Sequence, residues 1–239
     1  MAVEEFPSPE LIAERARTVV DRIGAMGRPE GSVTVVAVTK AFPFAVVERA
    51  LQAGLADLGE NYAQELHDKD GQLSHYPNLA VQARWHFIGG LQRNKVKLLA
   101  GRVHLWHSVD RESLVDEIAK RAPGDQILIQ VNTTGEASKS GCGPEQAGPL
   151  VDRARQRGLV VRGLMTVGPT SAGVDPRTSF SRLRHLAEGC EVEELSMGMS
   201  GDFELAIDEG STMIRVGSAL FGPRPRPQAP SPKPNGVGN

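Results

Sequence analysis

The chain has 239 residues, of which 40% are apolar and 23% charged, with a formal net charge of −2 at pH 7. That composition suits one large packed domain or two small ones and excludes a disordered chain. The balanced charge offers no global basic field for nucleic acid, no apolar run nears the roughly 18 residues of a membrane span, and the start "MAVEEFPSPE" does not read as a secretory signal.

In chain order, Ser8 and Pro9 read as an N-cap and first helical residue. Ile12, Ala16, Val19, Val20 and Ile23 then share one helical face, and Gly27 closes a predicted helix over 8–26. After it the pattern turns to short β-type runs at 33–38, 57–59, 85–89, 104–109, 126–131, 161–166, 194–196 and 213–216. The second and seventh are very short. Helical patterns at 44–54, 91–100, 111–121, 144–158, 176–188 and 203–210 separate most of them. Alternating βα units imply a parallel sheet with right-handed crossovers. Eight of them favour a single (β/α)8 TIM barrel in the α/β class, carrying an extra N-terminal helix outside it or across its base. The competing dinucleotide-binding sheet lacks its G-x-G-x-x-G after the first strand. The barrel domain is expected over 1–222. The Pro-rich end "GPRPRPQAPSPKPNGVGN" predicts a disordered, solvated tail over 223–239, whose P-x-x-P could serve as a docking peptide. Cys142 and Cys190 form no close pair and no metal-type cluster, which suits a reducing cytosol.

The active face of such a barrel lies at the C-terminal strand ends, where Lys40 of "VAVTKAFP" follows the first strand. A lysine there can form a Schiff base with a carbonyl compound, although on its own a rim lysine paired with a carboxylate is the plainer reading. The loops after strands seven and eight shift that balance. "SMGMSGDFELAID" sets Ser200, Gly201 and Asp202 before a short helix, and "STMIRVGSALFG" runs a strand into Gly217 and Ser218. Small residues let backbone N–H groups approach phosphate oxygens, and Ser200 and Ser218 can add hydroxyls. Ordinary turn and cap chemistry explains either loop alone, but two at this place suggest a phosphate cup. A Schiff-base lysine with a phosphate cup points to pyridoxal 5′-phosphate (PLP). Asn61 in "GENY" can reach the cofactor's ring oxygen or imine, or can simply cap a helix. His86 reads as a satisfied core histidine, and Met165 as packing at the barrel mouth. Arg93, Lys95 and Lys97 read as a solvated face, Lys139 as a solvated loop lysine rather than a second aldehyde-reactive one, and Cys142 as without a role.

The sequence resembles the YggS/PROSC family of pyridoxal phosphate homeostasis proteins between about residues 33 and 222. The carriers are "AVTKAFP", "GENYAQE", "WHFIGGLQRNK", "HSVDRESL", "VNTTGEASKSG", "GLMTVGP", "LSMGMSGDFELAI" and "GSTMIRVGSALFG". The resemblance implies a single barrel like the N-terminal domain of alanine racemase. It implies that Lys40 holds PLP as an internal aldimine, that Ser200, Gly217 and Ser218 hold its phosphate, and that Arg215 lies near the pyridine nitrogen. Gly90 stands where the family usually has proline. The implied function is non-enzymatic PLP binding for intracellular PLP homeostasis in the cytoplasm, by a monomer whose partners are PLP and PLP-dependent apoenzymes, with no nucleic acid or membrane. The alternatives are a PLP-dependent amino-acid racemase and a Schiff-base aldolase acting without PLP. A racemase needs a base on each face of the α-carbon. Alanine racemase takes the second from a tyrosine on a further domain, no sequence for which follows the eighth strand. Only Tyr62 and Tyr76 exist here, and neither follows a late strand. An arginine at the ring nitrogen also donates rather than protonates, which makes the ring a poorer electron sink.

Overall fold

A computed structural model describes residues 6–169 and 174–224. The tail expected over 223–239 lies outside them except for Pro223 and Arg224. The eight expected strands all form. They are β1 (Thr34–Val38), β2 (Asp57–Glu60), β3 (Arg84–Phe87), β4 (Val103–Val109), β5 (Gln126–Gln130), β6 (Val160–Met165), β7 (Glu194–Met199) and β8 (Met213–Val216). Each pairs in parallel with the next, and β8 pairs with β1, closing the barrel. β7 runs three residues past its expected end at 196, so it reaches the mouth like its neighbours.

The helices are α1 (Pro9–Ala25), α2 (Phe44–Gln52), α3 (Ala63–Leu73), α4 (Pro77–Ala80), α5 (Val96–Leu99), α6 (Glu112–Arg121), α7 (Ala147–Gln156), α8 (Arg177–Gly189), α9 (Phe203–Asp208) and α10 (Ser218–Phe221). α3 and α4 lie where no helical pattern was expected. In α3 the inward row is Ala63, Leu66, Lys69 and Leu73, so a buried charge interrupts the apolar period. Ser8 caps α1 by accepting from Leu11 N–H at 3.4 Å. Ile12, Val19 and Ile23 are buried, but Val20 is 43% exposed rather than on the buried face. Val20 follows Val19 by about 100° around the helix, which carries it off the stripe. α1 packs outside the barrel against α2, α9 and α10. Arg22 joins it to α9 by an ion pair to Glu204 at 2.8 Å and by lying 4.6 Å over the Phe203 ring.

Two cores result from strand alternation. Outward residues such as Ala37, Trp106, Ile127, Leu164 and Ile214 meet the helices in one large cluster. Inward ones include a small apolar cluster of Val36, Leu105, Leu128, Met165 and Met213. The rest of the buried interior carries polar groups, among them His86, His107, Ser196 and Arg215. His86 is a satisfied core histidine, as expected, with both ring nitrogens hydrogen-bonded.

Candidate functional site

At the C-terminal mouth lies a cavity of about 420 Å3, and Lys40, Asn61, Ser200, Arg215, Gly217 and Ser218 all line it. Six residues from four separate stretches of sequence thus meet because β1, β2, β7 and β8 end at one rim.

Lys40 sits in a tight turn directly after β1. Phe42 N–H donates to Thr39 O at 3.1 Å, and Ala41 takes the left-handed φ of 63° that the turn requires. That conformation is costly for a residue with a Cβ and is held by Glu65 of α3, whose Oε1 accepts from Ala41 N–H at 2.7 Å. The same Glu65 oxygen accepts from Lys69 Nζ at 2.7 Å, and Lys69 also donates to Glu60 at 2.6 Å and to Thr39 O at 2.8 Å. Thr39 Oγ1 completes the cluster by donating to Glu60 Oε1 at 2.7 Å. Burial raises Glu60 above its ordinary value despite the opposing pull of Lys69. Lys40 itself is half-buried. Desolvation, then the positive charges of Arg224 and Arg215, lower its pKa against the pull of Glu60 and Glu65. A larger fraction of its amine is therefore neutral and nucleophilic near neutral pH.

The far wall supplies donors. Ser200 Oγ is approached by Gly217 N–H at 3.3 Å and Ala219 N–H at 3.4 Å. A Cβ on Gly217 would come within 3.2 Å of Val38 O, so a side chain there would press on the end of β1. Arg215 is 5% exposed and anchored by two hydrogen bonds, to Ser196 Oγ at 2.7 Å and Thr166 O at 2.8 Å. Burial lowers it to about 10, so it remains a cation and a pure donor at neutral pH. Asn61 follows β2, and its Oδ1 is buried without a hydrogen-bond partner among the described residues. A buried acceptor left without a partner is costly unless a ligand satisfies it. A Cβ on Gly89 would fall 2.1 Å from Asn61 O, so glycine at 89 is what lets this loop settle, while a Cβ at Gly90 meets nothing.

The sequence reading missed some of the surroundings and misjudged one lysine. Arg224 lines the cavity, and the Glu60–Glu65–Lys69 cluster supports its floor. The i,i+4 spacing of Glu65 and Lys69 was the available signal. Lys139 is not a solvated loop lysine. Its side chain is 10% exposed and donates to the carbonyls of Val167 and Gly168, with Glu136 at 3.6 Å. The two carbonyls lie in the loop after β6, which the parallel pairing of β5 and β6 brings beside the loop after β5. Met165 does pack in the cavity wall, and Arg93 is exposed and paired with Glu117. Cys142 is buried and pushed up to about 12, mainly by desolvation, which leaves an inert thiol.

The model of the family described as the alanine racemase N-terminal domain matches residues 13–225. The pyridoxal phosphate homeostasis protein of Pseudomonas aeruginosa is 40% identical over 223 residues, covering 90% of this chain and 95% of its own. PipY of Synechococcus elongatus, solved with PLP bound, superposes with a TM-score of 0.77 at 31% identity, covering 88% of this chain and 100% of its own. Alanine racemase from E. faecalis shares the fold, with a TM-score of 0.68 at 18% identity over 91% of this chain and 59% of its own. By the length and closeness of these matches, the chain belongs to the family of pyridoxal phosphate homeostasis proteins, built on the barrel of the alanine racemase N-terminal domain.

Proposed function

We propose that the mouth of this barrel binds PLP covalently through Lys40 and that the protein serves PLP homeostasis as a carrier without catalytic turnover. The observation that carries the reading is the convergence, on one cavity, of a lysine of lowered pKa, a buried guanidinium and a buried, unpartnered amide oxygen. Bound there, PLP supplies an aldehyde whose C=O is replaced by C=N, with loss of water, when a lysine amine adds to it. Ser200, Ser218 and the amides of Gly217 and Ala219 would hold the phosphate. Arg215 would donate to the ring nitrogen, and Asn61 Oδ1 would accept from the ring hydroxyl. A donor that never gives up its proton leaves that nitrogen unprotonated, which disfavours carbanion chemistry on the ring. No tyrosine lines the cavity among the described residues, and Tyr62 and Tyr76 are both exposed, so neither is placed as a second base. PLP-dependent apoenzymes are the natural recipients of a carried cofactor. The barrel would act as a monomer in the cytoplasm. Among the described residues no helix is long and apolar enough to cross a membrane.

The test is the visible absorption spectrum of the protein with PLP, before and after borohydride, with mapping of the labelled lysine. A band lost on reduction, with the label on Lys40, supports the reading. A label on another lysine, or no band, overturns it.

A further inference from the structure

The buried polar groups inside the barrel form a single file. Arg215 NH1 donates to Ser196 Oγ at 2.7 Å, Ser196 Oγ meets His107 Nδ1 at 2.9 Å, and His107 Nε2 meets His86 Nδ1 at 2.8 Å. His86 Nε2 then meets Asp57 Oδ1 at 3.0 Å. Ser196, His107 and His86 are at most 1% exposed. The file runs from the cofactor mouth to the opposite face. There a second cavity of about 160 Å3 is lined by Asp57, Arg84, His86, His104, Arg162 and Glu194.

The ends of the file fix its direction. Arg215 can only donate. Asp57 can only accept while ionised. Burial pushes its carboxyl up, but the hydrogen bonds from His86 and Arg84 and the charge of Arg84 outweigh this and hold it below the usual range. Ser196 has one proton. If both histidines are neutral, a single arrangement satisfies every member. Ser196 O–H donates to His107 Nδ1, His107 Nε2–H donates to His86 Nδ1, and His86 Nε2–H donates to Asp57. Burial, with the charge of Arg215 nearby, holds His107 well below its ordinary value, which favours its neutral ring. In the reverse arrangement His107 Nδ1–H would donate to Ser196. The serine would then accept twice, and its own proton would have no partner among the described residues.

We propose that Asp57, His86, His107 and Ser196 are positioning residues that form one polarised relay, which aims Arg215 at the bound ring and couples the mouth of the barrel to its base. The aim of Arg215 matters only if the ring lies where the preceding reading puts it, but the polarity of the relay does not depend on PLP. The two parts can therefore be tested apart. In 15N-histidine-labelled protein without PLP, nitrogen shifts at pH 8 should report His86 and His107 both as Nε2–H tautomers. A proton on His107 Nδ1 overturns the relay.

With PLP, Ser196→Ala should raise the dissociation constant about tenfold, the worth of one buried hydrogen bond to a charged group, and Ser196→Thr should restore it. Asp57→Asn, at the far face, should mix the histidine tautomers and also shift the visible band and the dissociation constant. Arg84→Gln removes the other partner of Asp57 but leaves the relay intact, so tautomers, band and affinity should hold. An Asp57→Asn protein with altered tautomers but an unchanged band and affinity overturns the coupling. Equal weakening by Arg84→Gln also overturns it, since the effect would then be general damage to the base. A wild-type protein with the expected tautomers and no affinity for PLP would sink the functional reading instead.

Discussion

Lys40 is held by its backbone turn, and its half-buried side chain lines the cavity and belongs to neither apolar cluster. Lys40→Ala should therefore abolish the borohydride-sensitive band while leaving the thermal midpoint within a few degrees of wild type, as surface truncations do. Absorbance and circular dichroism melting on the same sample check both halves. Gly217 offers a different handle. A valine there meets Val38 O and crowds the amides of the phosphate cup. Gly217→Val should weaken PLP by tenfold or more, roughly 1.4 kcal/mol, and weaken pyridoxal, which has no phosphate, far less. Titration with the two ligands side by side tests the cup, and equal weakening would remove Gly217 from it.

At the scale of the element, α3 is where the fold and the site meet. Lys69 on α3 is 5% exposed and pairs with Glu60 of β2, which is fully buried. Removing one partner of such a pair leaves an uncompensated buried charge, so Lys69→Met should cost about 3 kcal/mol at pH 8. Glu60 already has a raised pKa from burial. A carboxyl whose folded value lies above its unfolded one adds stability that is complete below about pH 4.3 and is lost as pH rises through the folded value. The deficit of Lys69→Met should accordingly shrink between pH 8 and pH 5, read as urea midpoints of both proteins. α3 was also the element least legible in the sequence, for the same reason. A helix whose inward row contains a lysine shows no clean apolar period, and the partner carboxylates that tolerate it sit on another element. The strands were legible because β-branched runs such as "VTVVAV" are buried on both faces of a closed sheet. Lys40, Asn61, Ser200, Gly217 and Ser218 were legible because strand-end positions and small-residue loops are local signals, whereas Arg215, within β8, was named only through the family resemblance. Lys139 and the His86–His107 contact were not legible, since each depends on a partner that strand pairing brings in from a distant part of the sequence.

For the whole molecule, the open question is whether a barrel with this mouth turns over amino acids. The proposed carrier role makes a definite expectation of this mouth, with its one lysine and an Arg215 that is a cation at neutral pH. PLP-loaded protein incubated with L-amino acids in deuterated water should show no deuterium entering the α-carbon at a rate near the ~1 s⁻¹ floor of ordinary enzymes. Exchange of the bound amine without loss of the α-proton is compatible with a carrier. Label appearing at that rate would make the protein an enzyme.

The cations gathered at the mouth bear on timing as well as affinity. Arg215 and Arg224 both act on Lys40 as repelling neighbours, so two arginine cations share one concave rim. A rim of that kind draws a phosphate dianion in from a distance, and the attraction is screened over about 8 Å at physiological ionic strength. The association rate measured by stopped flow should fall several-fold as salt is raised from low to physiological levels. The dissociation rate, set by a covalent bond and short hydrogen bonds, should barely move. Loading would then follow the ionic surroundings of the protein, and retention would follow the bond to its lysine.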